Sequence, residues 1–123
     1  MRDIRAFAQE VAEVFRPRQI ILFGSYAYGT PTDDSDADIL VVFGGRGSAI
    51  DRSLEIRLRI PAGFPMDLLA RTEEEVRRRL AMHDWFMQEI VENGRILYDA
   101  TGARVGSKGR GRLRRRVPRT ARA

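Results

Sequence analysis

The 123-residue sequence contains no cysteine and a single histidine, His83. Without cysteine there can be no disulfide, thiolate zinc site, iron–sulfur cluster or cysteine nucleophile. One imidazole cannot build a multi-histidine metal site within a chain, and a Ser-His-Asp triad would have to use His83. Any metal must therefore be a hard cation held by carboxylates, which means magnesium or manganese. No uninterrupted apolar run exceeds five residues, too few to cross a bilayer. Met1 to Phe15 mixes arginine with Asp3, Glu10 and Glu13, where a signal peptide would carry an apolar block. These absences lead us to expect a cytoplasmic protein with no membrane contact.

What is present is charge, unevenly placed. The whole chain carries a formal +5, with 32% charged and 43% hydrophobic residues. Residues 1–99 hold all 17 acids against 13 arginines, a net −4. Residues 100–123 hold nine basic residues, no acid and no aromatic residue, a net +9. A segment so poor in large apolar side chains cannot offset its ordering entropy by burial. The expected organisation is one folded domain over 1–99 and a disordered basic tail over 100–123. The tail reads as a non-specific polycation. A weak electrostatic contact with RNA is the functional alternative, without the aromatic residues that sequence reading by stacking would need.

Within the body, Ile4, Phe7, Ala8, Val11, Val14 and Phe15 recur at helical spacing, which predicts an amphipathic helix over 3–15. Gln19 to Phe23 predicts a buried strand, and Ser25 to Tyr28 a short helix stopped by Gly29. A second strand is expected over 36–43 and a third over 64–69. Ser48 is expected to cap a helix running to about Leu58, with Asp51 in its first turn. Thr72-Glu73-Glu74-Glu75 fits a capping box. Asp84 opens a further helix ending at Asn93-Gly94, and Arg95 to Tyr98 forms a fourth strand. The class is α/β: a small mixed sheet of about four strands with helices packed on it.

The chemistry concentrates in Gly24 to Asp38, GSYAYGTPTDDSDAD. A buried strand delivers a Gly-Ser turn, where glycine admits a phosphate closely and the Ser25 hydroxyl adds a hydrogen bond. Asp36 and Asp38 follow two residues apart, so strand alternation places both carboxylates on one face. At about 7 Å and an effective dielectric of ~20, two such charges repel by roughly 2 kcal/mol, a cost that a divalent cation reverses. A third carboxylate, Asp67, stands in the apolar run Met66 to Leu69. Alone, Asp67 reads equally well as an exposed strand-end acid or as a ligand. Together, three carboxylates facing a phosphate-binding turn describe a two-metal phosphoryl-transfer site. Gly24-x4-Gly29 is not a P-loop, because Thr30 stands where lysine is required. Asp34-x-Asp36-x-Asp38 is not a calcium loop, because Ile39 and Gly45 stand where glycine and glutamate belong. Asp33 and Asp34 are left as solvated loop acids.

The ten residues between Ser25 and Asp36 complete the pattern Gly-Ser-x10-Asp-x-Asp. The segment resembles the signature of the DNA polymerase beta-like nucleotidyltransferases, and within them the minimal nucleotidyltransferases. The similarity covers residues 1–99 and leaves out the tail. The resemblance implies that Gly24 and Ser25 hold nucleotide phosphates. It further implies that Asp36 and Asp38 bind two Mg2+ ions, with Mn2+ as an alternative, and that Asp67 is the third carboxylate, binding the catalytic metal and helping to deprotonate the attacking hydroxyl. The implied reaction moves a nucleoside monophosphate, AMP from ATP, to a hydroxyl and releases pyrophosphate. Members of this group are often encoded beside a HEPN-domain ribonuclease toxin, which they neutralise by adding AMP to a tyrosine. A body of about 99 residues shows no obvious second domain to wall an acceptor site, so a partner protein is the expected acceptor. A non-catalytic antitoxin that masks its partner sterically, and a nucleic-acid-binding module acting through the tail, are the competing expectations.

Other residues read more plainly. Arg46 lies in a glycine-rich turn and is expected to be solvated, although it could reach a triphosphate. Tyr26 and Tyr28 are expected to pack across the turn rather than stack on a base. His83 reads as a surface or capping residue, and Arg77 to Arg79 as a solvated helix face. Trp85, Phe86 and Met87 are expected to belong to the core or to a partner surface.

Overall fold

The computed structural model describes residues 2–29, 36–44 and 49–101. The expected element order holds: α1 (Arg2–Phe15), β1 (Gln19–Phe23), α2 (Ser25–Tyr28), β2 (Ala37–Phe43), α3 (Ala49–Arg59), β3 (Met66–Thr72), α4 (Glu73–Ala81), α5 (Trp85–Asn93) and β4 (Arg95–Asp99). The strands form one mixed sheet in the order β3-β2-β1-β4. β1 runs antiparallel to both neighbours, while β2 and β3 run parallel. No described helix is long and apolar enough to cross a membrane.

The sheet is covered on both faces. Ile4, Phe7, Ala8 and Val11 of α1 and Ile56 of α3 pack on Ile20, Leu22, Ile39, Val41, Leu68, Ala70 and Leu97. On the other face, Met87, Ile90 and Val91 of α5 pack on Ile21, Phe23, Leu40, Val42 and Ile96, with Leu69, Val76 and Leu80 at the margin. This double coverage is why β2 reads as an unbroken apolar run rather than an alternating one. At the end of α1 the expected stripe breaks: Val14 is exposed, while Phe15 lies beneath the Arg59 guanidinium, 5.5 Å from the ring centroid.

Helix starts follow local chemistry. Thr72 closes β3 and caps α4, its Oγ1 accepting from Glu75 N–H at 3.1 Å while the Glu75 carboxylate accepts from Thr72 N–H. The Asp84 carboxylate accepts from Met87 N–H at 3.1 Å and from the Arg79 guanidinium at 3.0 Å. Those two bonds, the Met87 one first, hold its carboxyl below the ordinary range and pin the α4–α5 corner. Arg79 therefore departs from the solvated face expected of Arg77 to Arg79. The expected Ser48 cap lies outside the described residues, as does the Asp51 side chain.

One boundary differs from expectation. β3 begins at Met66 and continues to Thr72, because its parallel pairing with β2 runs on to Phe43↔Thr72. Gly94 ends α5 as expected; its φ is −71° and its N–H donates to the Ile90 carbonyl. Glycine is required there by space. A Cβ would strike the Ile90 carbonyl oxygen and meet Ile21 Cγ2 at 2.6 Å and the Leu22 carbonyl at 3.1 Å. At such a φ, Gly→Ala ordinarily stabilises by about 0.4–1 kcal/mol. Two of the three obstacles are backbone and cannot yield, so Gly94→Ala is expected to cost about 3 kcal/mol instead. A thermal melt should show Tm lowered by roughly 12 °C or more.

The far end of the sheet holds a group that sequence pattern did not single out. Asp99 is fully buried at the end of β4. Its carboxylate accepts from Gln19 Nε2 at 3.3 Å, from Thr101 N–H at 3.0 Å and from the Thr101 hydroxyl at 2.7 Å. A buried polar group needs such partners.

Candidate active site

The candidate site lies where β1 ends and β2 and β3 begin. The register places Phe23 opposite Asp38 and Asp38 opposite Asp67, so one row of side chains crosses three strands. Alternation puts Asp38 on the sheet face of Leu40 and Val42, and Asp67 on that of Leu69, the face covered by α4 and α5. Asp36 stands one residue before β2 and is exposed; Asp38 is half-buried and Asp67 exposed. Thus the two acids expected on separate strands are direct neighbours, and Asp36 flanks them.

Gly24 joins this row to the Gly-Ser turn. Its φ of 76° and ψ of −158° belong to a region essentially reserved for glycine. A Cβ there would collide with the Asp38 carboxylate. The glycine expected to make room for a phosphate thus makes room first for Asp38. Ser25 opens α2, its carbonyl accepting from the N–H of Gly29, which adopts φ 78° as the expected helix stop. Tyr26 packs against the opposite core, as expected, and not toward the carboxylates. The Tyr28 side chain, Asp33, Asp34 and Arg46 lie outside the described residues.

Partial burial pushes the Asp38 carboxyl above its ordinary range, and the charges of Asp67 and then Asp36 push it further. The folded state therefore holds this proton more tightly than the unfolded chain does. The contribution of Asp38 to stability is least unfavourable in acid and falls as pH rises through its ordinary and then its raised value. Asp38→Asn removes that repulsion. In metal-free buffer the variant should melt higher than the parent, and the gap should widen as pH rises through the acid range and then level off. A gap that is constant with pH would contradict this account of the site's electrostatics.

The donor set consists of carboxylate oxygens, which suits a hard divalent cation. Among the described residues no three acidic or histidine side chains close on one point as a ready-made cage. Mg2+ does not need one: it usually takes one or two carboxylates and completes its shell with water and substrate phosphates. Two facing carboxylates, one of them held against a glycine and electrostatically strained, fit that role.

The aromatic run splits. Met87 is core, whereas Trp85 is 76% and Phe86 49% exposed. Phe86 stands edge-on to Phe23 with ring centroids 5.8 Å apart, which brings the first turn of α5 to the carboxylate row. Helical spacing alone did not show this, because the contact crosses from α5 to β1. His83 is exposed in the preceding turn with φ 60°, and the cap of α5 is Asp84.

Comparison with known proteins bears on the family and the fold. The family described as nucleotidyltransferase domain matches residues 4–98. A Methanocaldococcus jannaschii protein, MJ0604, provisionally named a protein adenylyltransferase, is 34% identical over 100 residues, covering 79% of this chain and 96% of its own length. A crystal structure from Sulfolobus solfataricus, provisionally named a nucleotidyltransferase, is 32% identical with a TM-score of 0.52, covering 63% of this chain and 70% of that one. A toxin–antitoxin crystallised with AMP-PNP shares the fold at 19% identity and a TM-score of 0.53, covering 96% of this chain and 86% of that one.

Proposed function

Because the chain belongs to the nucleotidyltransferase domain family and is a nucleotidyltransferase, we propose that it moves AMP from ATP to a hydroxyl on a partner protein. The observation that carries this reading is the row Asp38–Asp67 seated against Gly24 at the mouth of the Gly24-Ser25 turn. Similarity over 96% of the length of a protein of adenylyltransferase name supports the protein acceptor. A fold neighbour titled as a toxin–antitoxin with AMP-PNP supports the pairing and the nucleotide. The proposed partner is a HEPN-domain ribonuclease toxin, with this chain as its antitoxin in the cytoplasm.

In the proposed reaction the acceptor oxygen attacks the α-phosphorus of ATP. One oxygen–phosphorus bond forms, the bond from the α-phosphorus to the bridging oxygen breaks, and pyrophosphate leaves. Gly24 and Ser25 bind the phosphates of the leaving group. Asp36, Asp38 and Asp67 would hold Mg2+, which when bound neutralises the triphosphate and polarises the α-phosphoryl group. Asp67, exposed on the outer strand, accepts the proton of the incoming hydroxyl. The folded unit for this chemistry is residues 1–99. The segment 102–123 lies outside the described residues, and we assign it no part in transfer beyond a weak, salt-sensitive contact with RNA.

Co-purified partner, incubated with this protein, ATP and Mg2+, should gain mass in whole AMP units. A partner that remains bound but gains no mass would overturn the transfer and favour steric masking.

A further inference from the structure

The first turn of α5 carries the most exposed aromatic surface among the described residues, Trp85 and Phe86. Burial does not explain it, because α5 is anchored through Met87, Ile90 and Val91. Phe86 instead makes a T-shaped contact with Phe23 and keeps half of its surface open. Phe23 is the strand partner of Asp38 and the residue before Gly24. The sequence of groups across the site is therefore Asp67, Asp38, Phe23, Phe86. The aromatic end lies on the side of the Gly24-Ser25 turn, with β2 between its strand and that of Asp67. Phe86 thus borders the Asp38 carboxylate and the Gly24-Ser25 turn through Phe23, away from Asp67, the residue assigned to the acceptor hydroxyl.

We propose that Phe86, flanked by Trp85, is the platform on which the nucleobase of the bound triphosphate stacks, and so a positioning residue for the nucleotide. The inference rests on the nucleotide-site reading above. An exposed π-face suits any base, and stacking on an aromatic side chain is a substantial, sequence-tolerant contribution to binding. The Asp84 cap and its bond to Arg79 fix the turn that presents the platform.

Trp85 is the sole tryptophan of the chain, so its emission reports on this turn directly. The full chain should be titrated with Mg2+-ATP and, separately, with Mg2+ and inorganic tripolyphosphate, following fluorescence and heat. ATP should quench Trp85; tripolyphosphate should bind without quenching. Phe86→Leu keeps the apolar contact with Phe23 but loses the π-face. It should weaken ATP by about ten-fold or more and leave tripolyphosphate unchanged, while Phe86→Tyr should restore ATP affinity. Equal ATP affinity in Phe86→Leu and the parent, a parallel loss of tripolyphosphate, or no difference in quenching between the two ligands would overturn the platform alone. Failure of the parent to bind either ligand would overturn the nucleotide site and the platform with it. An effect of Phe86→Leu confined to KM for the acceptor would assign the aromatic pair to partner binding and also overturn it.

Discussion

Replacing Asp36 and Asp38 together by alanine is expected to abolish nucleotidyl transfer while leaving the fold intact. Asp36 is exposed, outside β2, so its loss removes no packing. Asp38 is half-buried and electrostatically opposed by Asp67 and Asp36, so its removal relieves rather than creates a buried penalty. Activity should respond in the other direction. Without these carboxylates only Asp67 remains to hold a cation against the triphosphate. Losing several kcal/mol of charge stabilisation should slow transfer by about a thousand-fold or more. Acceptor labelling under single-turnover conditions, read beside a thermal melt, separates the two effects. Retained activity would remove these acids from the mechanism, and a collapsed melt would make them structural.

Gly24→Ala should come close to the same loss by a different route. The backbone at φ 76° and ψ −158° excludes alanine, at a cost of about 1–3 kcal/mol. The added Cβ would also enter the space of the Asp38 carboxylate. That carboxylate is the end of a side chain and can rotate aside, so the steric part falls on the site rather than on the fold. The expected result is a protein with Tm lowered by roughly 5–20 °C. Folded Gly24→Ala should lose transfer by about a hundred-fold or more, since an ångström of misplacement near the reacting atoms costs that much. A variant with lowered Tm but parental kcat would show that Asp38 does not need its observed position.

Much of this architecture was legible in the residues. The uninterrupted run Ile39 to Phe43 announced a strand covered on both faces, and Thr72 with Glu75 announced the start of α4. The spacing of Gly24, Ser25, Asp36 and Asp38 marked a candidate site, and the fold brings Gly24 and the Asp38 carboxylate together. What remained hidden was non-local. The extent of β3 depends on its pairing with β2, and Ala70-Arg71-Thr72 has no strand signature of its own. The reason for glycine at 24 and at 94 is a side chain or backbone group from a different part of the fold. Asp99 looks like an ordinary strand-end acid until Gln19 closes over it. Periodicity grouped Trp85, Phe86 and Met87 together, and only packing sorted Met87 into the core, set Phe86 against Phe23 and left Trp85 exposed.

The proposed transfer requires attack at the α-phosphorus of the nucleotide. ATP labelled at the α-phosphate and ATP labelled at the γ-phosphate should be given in parallel to this protein with its partner, in Mg2+ and again in excess chelator. Label is expected on the partner from α-labelled ATP alone, dependent on the divalent cation and absent with Asp36→Ala/Asp38→Ala. Label from the γ position, or α-label that survives chelation or the double substitution, would contradict it.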